Sequence, residues 1–391
     1  RPEETDRLTA ADVVGPDGVV YPNWTRCGVQ GDIPDVPVAV RLAAFGGQPD
    51  DGRDDAEALD RAWRAAAERG GGAVLLEAGT YHMDRPVTVR ADGIVFRGAG
   101  RERTRIVFRY AIPDPGVCFY GLRQGERIGP DSRIEMHARP AGLERMALSA
   151  GSRSLGTWTR RKHSGNTFSF HRSFARVAGR LEPGTVTLTA TAEYADGTVR
   201  ESELDVVYDP GAGAPEIPSS RAVFLFEGGG WVGSKVKLAE DGRRGAAVLQ
   251  LERETDIVPG DPLLIDAPAT DRWNRLTGNA CRWGAYRQYA VRVREVDGAR
   301  LILGQPLRLD FPVIDGAYVR RMAVRQRCGI EDLTIEQTEN LWITSVLFSM
   351  AWNCWARGVR VEMCGRFPVY GQRAKWCTIR DCVFDDAWFK G

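Results

Sequence analysis

Three short segments near the end of the chain superpose on one another: Leu333-Thr334-Ile335, Val359-Arg360-Val361 and Cys382-Val383-Phe384, at offsets of 26 and 23 residues. This is a loose internal repeat. In each triplet, strand alternation sends the first and third side chains inward and the middle one outward. A single unit of this kind cannot bury its own apolar side, so units stack and each covers its neighbour. Stacked coils of this period form a parallel β-helix. The expected fold is therefore all-β.

The first ordered part of the chain has a matching texture. The segment Asp54 to Arg69 carries Ala58, Leu59, Ala62, Trp63 and Ala66 at helical spacing, and Asp54-x-x-Glu57 predicts a capping box at its start. Gly70, Gly71 and Gly72 end it. Short strands are predicted directly afterwards at Ala73 to Leu76, Val87 to Val89, Ile94 to Phe96 and Ile106 to Phe108, divided by turn signals such as Asp92-Gly93. The 44 glycines suit a chain that turns often. Between the two repeat-like regions the pattern changes. Val186, Leu188, Ala190, Ala192 and Tyr194 alternate, Asp196-Gly197 turns the chain, and Val199, Leu204 and Val206 resume, which predicts an immunoglobulin-like sandwich. A second hairpin sets Val291 and Val293 against Leu301 and Leu303 across Asp297-Gly298, in a segment that reads as a small β-barrel-like insert. The expected organisation is an extended arm over 1–37, a capping helix and first coils over 38–132, the sandwich over 133–210, the barrel-like insert over 220–312, and further coils over 313–391.

Composition narrows the partners. The 53 basic and 52 acidic residues nearly cancel, so the chain lacks the basic footprint of a nucleic-acid binder. No run of eighteen apolar residues is present, which excludes a membrane-spanning helix. The chain begins at Arg1 with no signal-like apolar segment, which suits a processed secreted protein, a trimmed chain or a fragment, and an extracellular or cell-surface location is an inferred expectation. Eight cysteines lie near only four histidines with no CxxC pair, so no zinc site is expected; buried free thiols are favoured over disulfides.

The run Phe45-Gly46, Asp50-Asp51-Gly52-Arg53-Asp54-Asp55-Ala56, the helix, and Gly71-Gly72-Ala73-Val74-Leu75-Leu76-Glu77-Ala78-Gly79-Thr80-Tyr81 resembles the N-terminal signature of the pectate-lyase-like superfamily. Ile94 to Gly100 and Thr104-Arg105-Ile106 extend the likeness, which covers about 38–110 and 326–391. The resemblance implies a right-handed parallel β-helix whose helix caps the open apolar end, and an extracellular polysaccharide as partner. Fold alone does not choose the chemistry; the leading expectation is a polysaccharide lyase cleaving a uronic-acid-containing glycan by β-elimination, with a polygalacturonase-like hydrolase or a non-catalytic glycan-binding, tailspike-like assembly as alternatives. Relatives continue for several more coils, whereas this chain stops at Gly391, so self-association through an open end that exposes Phe384, Trp388 and Phe389 is also expected.

Chemistry-bearing residues concentrate in the last coils. Asp385, Asp386, Tyr370 and Lys390 are the catalytic candidates, with Arg366, Arg373, Lys375, Trp376, Arg380 and Trp388 as substrate-binding candidates. Hydrolysis of a glycoside needs two carboxyl groups across the bond, and adjacent Asp385 and Asp386 serve only if a turn brings them to one side. β-Elimination from a uronic acid needs a cation on the sugar carboxylate and a base for the neighbouring proton. Here Arg373, Lys375, Arg380 or Lys390 supplies the first, and Tyr370 or a lysine with a lowered pKa the second. Asp50, Asp51, Asp54 and Asp55 offer calcium ligands or a solvated turn and helix cap. No specific ligand set is visible, and the cofactor stays unknown. His82 and Asp84 are a weak base-and-orienter candidate.

Overall fold

The computed structural model describes residues 27–109, 112, 115–139, 141–159, 172–177, 180–215, 220–278, 287–339 and 342–388. β1 (Val38–Arg41) leads into α1 (Ala56–Glu68), followed by β2 (Gly72–Leu75), β3 (Gly79–Met83), β4 (Val87–Val89), β5 (Ile94–Arg97) and β6 (Thr104–Phe108). A first insert then holds β7 (Val117–Tyr120), β8 (Glu126–Ile128), β9 (Arg133–Ala138), β10 (Leu143–Ala150), β11 (Arg153–Thr159), β12 (Arg172–Arg176), β13 (Gly184–Tyr194) and β14 (Val199–Tyr208). After β15 (Ala222–Glu227), a second insert holds β16 (Gly230–Lys237), β17 (Val248–Gln250), β18 (Pro262–Ala267), α2 (Asp271–Leu276), β19 (Arg287–Asp297), β20 (Arg300–Leu303) and β21 (Tyr318–Ala323). The chain closes with β22 (Arg325–Gln326), β23 (Gly329–Glu331), β24 (Thr334–Gln337), β25 (Thr344–Ser349), β26 (Ala351–Trp352), β27 (Trp355–Arg357), β28 (Arg360–Cys364), β29 (Val369–Gln372), β30 (Thr378–Arg380) and β31 (Val383–Ala387).

Three sheets in this order are parallel at every pairing. The first runs β1-β2-β5-β23-β27-β30, the second β3-β6-β24-β28-β31 and the third β4-β15-β25-β29. The chain visits them in rotation. The repeat triplets align in the observed register, Thr334 with Arg360 and Val383, and Ile335 with Val361 and Phe384. Leu333, Ile335, Val359 and Val361 are buried in the shared core, while the Arg360 guanidinium sits outside beside Glu102. Each coil turns its corner with a left-handed residue at the same place: Arg327, Asn353 and Trp376 at one corner, and Asp332, Gly358 and Asp381 at the next. Non-glycine residues at positive φ cost energy, and here the same corner demands them coil after coil. Close approach of neighbouring coils fixes Gly98, where a Cβ would lie 2.4 Å from the Asp332 carbonyl oxygen.

β15 departs from the expected boundaries. It lies between β4 and β25 in the third sheet, with Phe224 opposite Val346 and Phe226 opposite Phe348, so 222–227 belongs with the coils and not with the insert that follows. Conversely, β7 and β8 pair with β9 and β14 of the first insert, ahead of residue 133, and β21 pairs with β16 and β18 of the second insert, beyond residue 312. The first insert is two facing sheets, β11-β10-β13-β14-β8 and β12-β9-β7, around a core that includes Leu148, Leu188, Ala190 and Val206. The second is one six-stranded sheet, β16-β21-β18-β19-β20-β17. Its two edges are joined by Ala239 N to Gln250 O (2.8 Å) and Glu252 N to Lys237 O (3.1 Å), which closes the sheet on itself.

A buried carboxylate ties down the second insert. Asp315, 2% exposed, accepts hydrogen bonds from Arg272 (2.6 Å), Arg287 (2.9 Å) and Thr270 (2.5 Å). Burial pushes its carboxyl up, but the bonds from Arg272, Thr270 and Arg287 outweigh that and hold it at about 2. A folded pKa below the unfolded one stabilises above the ordinary carboxylate range, and that stabilisation is lost as pH falls from about 4 towards 2. The insert's urea midpoint, followed by tryptophan fluorescence, is expected to drop across that window. Asp315→Asn should be less stable at neutral pH and should lose this part of the acid dependence; an unchanged acid profile would refute the assignment.

α1 forms over the predicted apolar spacing and packs on β1, β2, β4 and β5 at one end of the stack. The predicted capping box does not form. The N-cap is Asp55, whose carboxylate accepts from Gln48 N and His82 N, while Asp54 accepts from Ala56 N and Asp84 N. With Asp50 accepting from Thr80 N, the acid cluster ties the helix start to β3. His82 and Asp84 do not pair, because Asp84 holds Arg109 at 2.8 Å. Arm residues Val29 and Ile33 pack on Ala73, Val95 and Trp355 of the first sheet's outer face. The seven described cysteines are all free thiols, and Cys328, Cys354 and Cys377 repeat at the coil offsets. Cys281 lies outside the described residues.

Candidate functional site

Among the described residues of the proposed catalytic set, Asp385, Asp386 and Tyr370 are not brought together. Consecutive strands of one coil face three directions, so neighbours in sequence become strangers in space. Asp385 points outward from β31 in the second sheet, and Asp386 occupies a left-handed corner where its Oδ1 accepts from Ala387 N at 2.9 Å. Tyr370 lies on the third sheet against Ala222, Leu225 and Leu347. Arg380, on the first sheet, is paired with Asp32 of the arm at 3.1 Å. Arg366 sits over Trp342 and Phe367, and Trp388 donates Nε1–H to the Gln337 carbonyl at 2.8 Å. Lys390 falls outside the described residues.

Asp385 does have carboxylate neighbours. It continues an outward column with Glu336 and Glu362, one per coil. Arg105 bonds both glutamates, at 2.7 and 2.6 Å, and its own pKa is raised chiefly by Glu362. The two glutamates are thus held on one guanidinium, not set across a gap where a glycosidic bond could lie between them.

Three of the predicted binding residues do converge. Arg373, Lys375 and Trp376 form the corner where the last coils meet the second insert. Lys375 bridges the backbone of Trp352, and the buried Trp352 packs with Leu264 and Met322 of the insert. Trp376 meets Trp352 edge-on at 5.3 Å. From the insert, Trp231 receives two guanidinium groups, Arg320 at 5.1 Å and Arg373 at 5.3 Å. The Lys375 ammonium stands 5.1 Å from the Tyr289 ring and 4.9 Å from the Trp376 ring, and Arg292 covers Trp352 at 5.3 Å. These are cation–π distances. Trp231, Tyr289, Arg292, Arg308, Arg373, Lys375 and Trp376 are all half-buried.

Among the described residues, Arg292, Arg308, Arg320, Arg373 and Lys375 make no salt bridge. Such a concentration of partly desolvated positive charge is unfavourable without an anion. Lys375 registers it: burial, and then the charge of Arg308, pull its pKa down to about 8. Burial likewise lowers Arg292. Tyr289 is raised by burial, with the Arg308 charge and hydrogen bond acting against that. The Arg373 Nε and Trp352 Nε1 are buried without a hydrogen-bond partner among the described residues. At neutral pH the junction therefore combines a phenol that keeps its proton, an amine close to releasing one, and guanidinium groups fit for a carboxylate.

Reading the coils alone missed Trp231, Tyr289, Arg292, Arg308 and Arg320, all from the second insert. Gly228-Gly229-Gly230 just before Trp231 was the available signal. At Gly228 a Cβ would lie 2.5 Å from the Met350 carbonyl oxygen, so the insert's root presses directly on the coils.

No family model and no curated protein matches the chain. Among solved structures it is similar to the tailspike protein gp49 from Pseudomonas phage LKA1, at 11% identity and a TM-score of 0.42, covering 88% of this chain and 46% of that one. It is also similar to the tailspike gp61 of Pseudomonas phage phi297 (11%, 0.40, 89% and 51%) and to the Gp54 tailspike of Acinetobacter baumannii bacteriophage AP22, solved with A. baumannii capsular saccharide (9%, 0.36, 97% and 50%). The chain spans about half the length of these structures.

Proposed function

We propose that the three parallel sheets are the faces of a right-handed parallel β-helix, the hand expected of parallel crossovers. We further infer that the protein binds an extracellular, uronic-acid-containing polysaccharide at the junction and cleaves it by β-elimination. The supporting observation is the set of five cations that make no salt bridge among the described residues, around Trp231, Tyr289, Trp352 and Trp376. Carboxylates of the polymer neutralise these charges, and the half-buried rings of Trp231, Tyr289 and Trp376 offer flat surfaces to the C–H faces of the sugars.

In the elimination, Arg373 and Arg308 neutralise the uronate carboxylate. That acidifies the proton on the adjacent ring carbon. The neutral amine of Lys375 takes this proton, the electron pair forms the ring double bond, and the bond to the leaving oxygen breaks. The Tyr289 phenol donates its proton to that oxygen. No water is consumed, and one product carries an unsaturated uronate.

The test is incubation with polygalacturonate and with a neutral glucan, following ultraviolet absorbance of the unsaturated product and new reducing ends in parallel. Both should rise together with the acidic polymer only. Reducing ends without the absorbance would replace elimination by hydrolysis, and binding without cleavage would leave a binding module of tailspike-like type.

A further inference from the structure

The second insert carries a cavity of about 730 Å³, of whose lining the cleavage chemistry uses Arg308 alone. Five arginines line it: Arg243, Arg244, Arg272, Arg287 and Arg308. Two carboxylates, Asp241 and Asp310, share the lining with them. Asp315 is bound by Arg272 and Arg287, Asp310 accepts from Arg244 N at 2.7 Å, and Asp241 accepts from Val313 N at 2.8 Å. Arg287 is 5% exposed and lies over the Trp273 ring at 4.1 Å. Its Nε, and the Trp273 Nε1, are buried without a hydrogen-bond partner among the described residues. Native structures rarely leave such donors unsatisfied. At the rim, Leu276 and Leu309 are exposed to 67% and 40%, an apolar edge beside a cationic floor.

Arg308 connects this cavity to the junction, since the same residue hydrogen-bonds Tyr289 and lowers Lys375 by its charge. We propose that the cavity is a second saccharide subsite, holding the carboxylate of a uronate residue on the same polymer whose cleaved bond lies at Lys375. This rests on the uronate-polysaccharide reading above. The guanidinium fork takes a carboxylate in a bidentate manner, and the rim leucines meet the sugar's C–H face. Occupying both places with one chain converts the second contact into an intramolecular one, so long chains gain affinity that short ones lack.

The experiment compares binding of the galacturonate trisaccharide and of long polygalacturonate to the whole chain, by calorimetry at two salt concentrations. Wild type should bind the long polymer at least about tenfold more tightly, with a steeper loss of affinity in salt. Arg243 and Arg244 are exposed, so the double variant Arg243→Glu, Arg244→Glu leaves the fold intact, which its thermal midpoint checks. It should lose the chain-length advantage while keeping wild-type affinity for the trisaccharide. Unchanged long-chain binding in that variant, with Lys375→Met still impaired in cleavage, overturns the subsite and leaves the junction reading standing. Loss of trisaccharide binding in the variant also overturns it, because the cavity would then be the primary site. If wild type binds neither probe, the polysaccharide reading itself fails.

Discussion

Lys375→Met is expected to lower the turnover number for polygalacturonate by about a hundredfold to ten-thousandfold, the usual share of a positioned general base. KM should move far less, because Arg308, Arg320 and Arg373 still hold the chain. The pH dependence gives the sharper signature. With the neutral amine as the proposed base, kcat/KM should fall about tenfold for each pH unit below the Lys375 pKa and level off above it. That pKa is pulled down to about 8 by burial and by the Arg308 charge. Arg308→Gln removes a neighbouring positive charge, the amine then holds its proton more firmly, and the midpoint should move to higher pH. A merely structural lysine would leave the midpoint where it was. If Lys375→Met retains wild-type activity, or Arg308→Gln leaves the midpoint in place, the base is another group.

The coils were legible because their periodicity is imposed by stacking. Leu333 and Ile335 are buried in one turn of the chain and Val359 and Val361 in the next, so Ile335, Val361 and Phe384 could be aligned from sequence and fall in one register, with Phe384 47% exposed on the last of them. The same 26 and 23 residue steps run through Cys328, Cys354 and Cys377, and through the left-handed corners Arg327, Asn353 and Trp376. Site assignment was harder for a physical reason. Tyr370, Arg380 and Asp385 are close in sequence, yet each lies on a different sheet, because a coil turns a corner every few residues. Lys375, Arg373 and Trp376 could be picked out as cation-plus-aromatic chemistry, but the pKa of Lys375 is lowered by burial and then by the charge of Arg308, and its ammonium faces the Tyr289 ring, both residues belonging to a module inserted far upstream. No local spacing records such a contact.

The strand between the inserts was the largest misreading of the fold, and it yields the largest expected change in stability. Val223-Phe224-Leu225-Phe226 is a short continuous apolar run, which periodicity alone cannot assign to a coil or to a barrel. Its match to Val346-Leu347-Phe348 was the missed signal, since Leu225 faces Leu347 and Phe226 faces Phe348 across the third sheet. Phe226 is fully buried, stacks on Phe348 at 5.3 Å and lies 6.3 Å from Phe96 of the first sheet. Phe226→Ala removes contacts on both sheets at once and should destabilise the coils by about 3–5 kcal/mol, the transfer loss plus the cavity. β15 is also where the chain returns to the stack after one insert and before the next, so its loosening should spread along the coils. Hydrogen exchange should quicken in β4 and β25, while β10 and β13 of the first insert keep their protection as a separate core. Protection lost in the second insert alone, with β4 and β25 unchanged, would return this strand to the barrel.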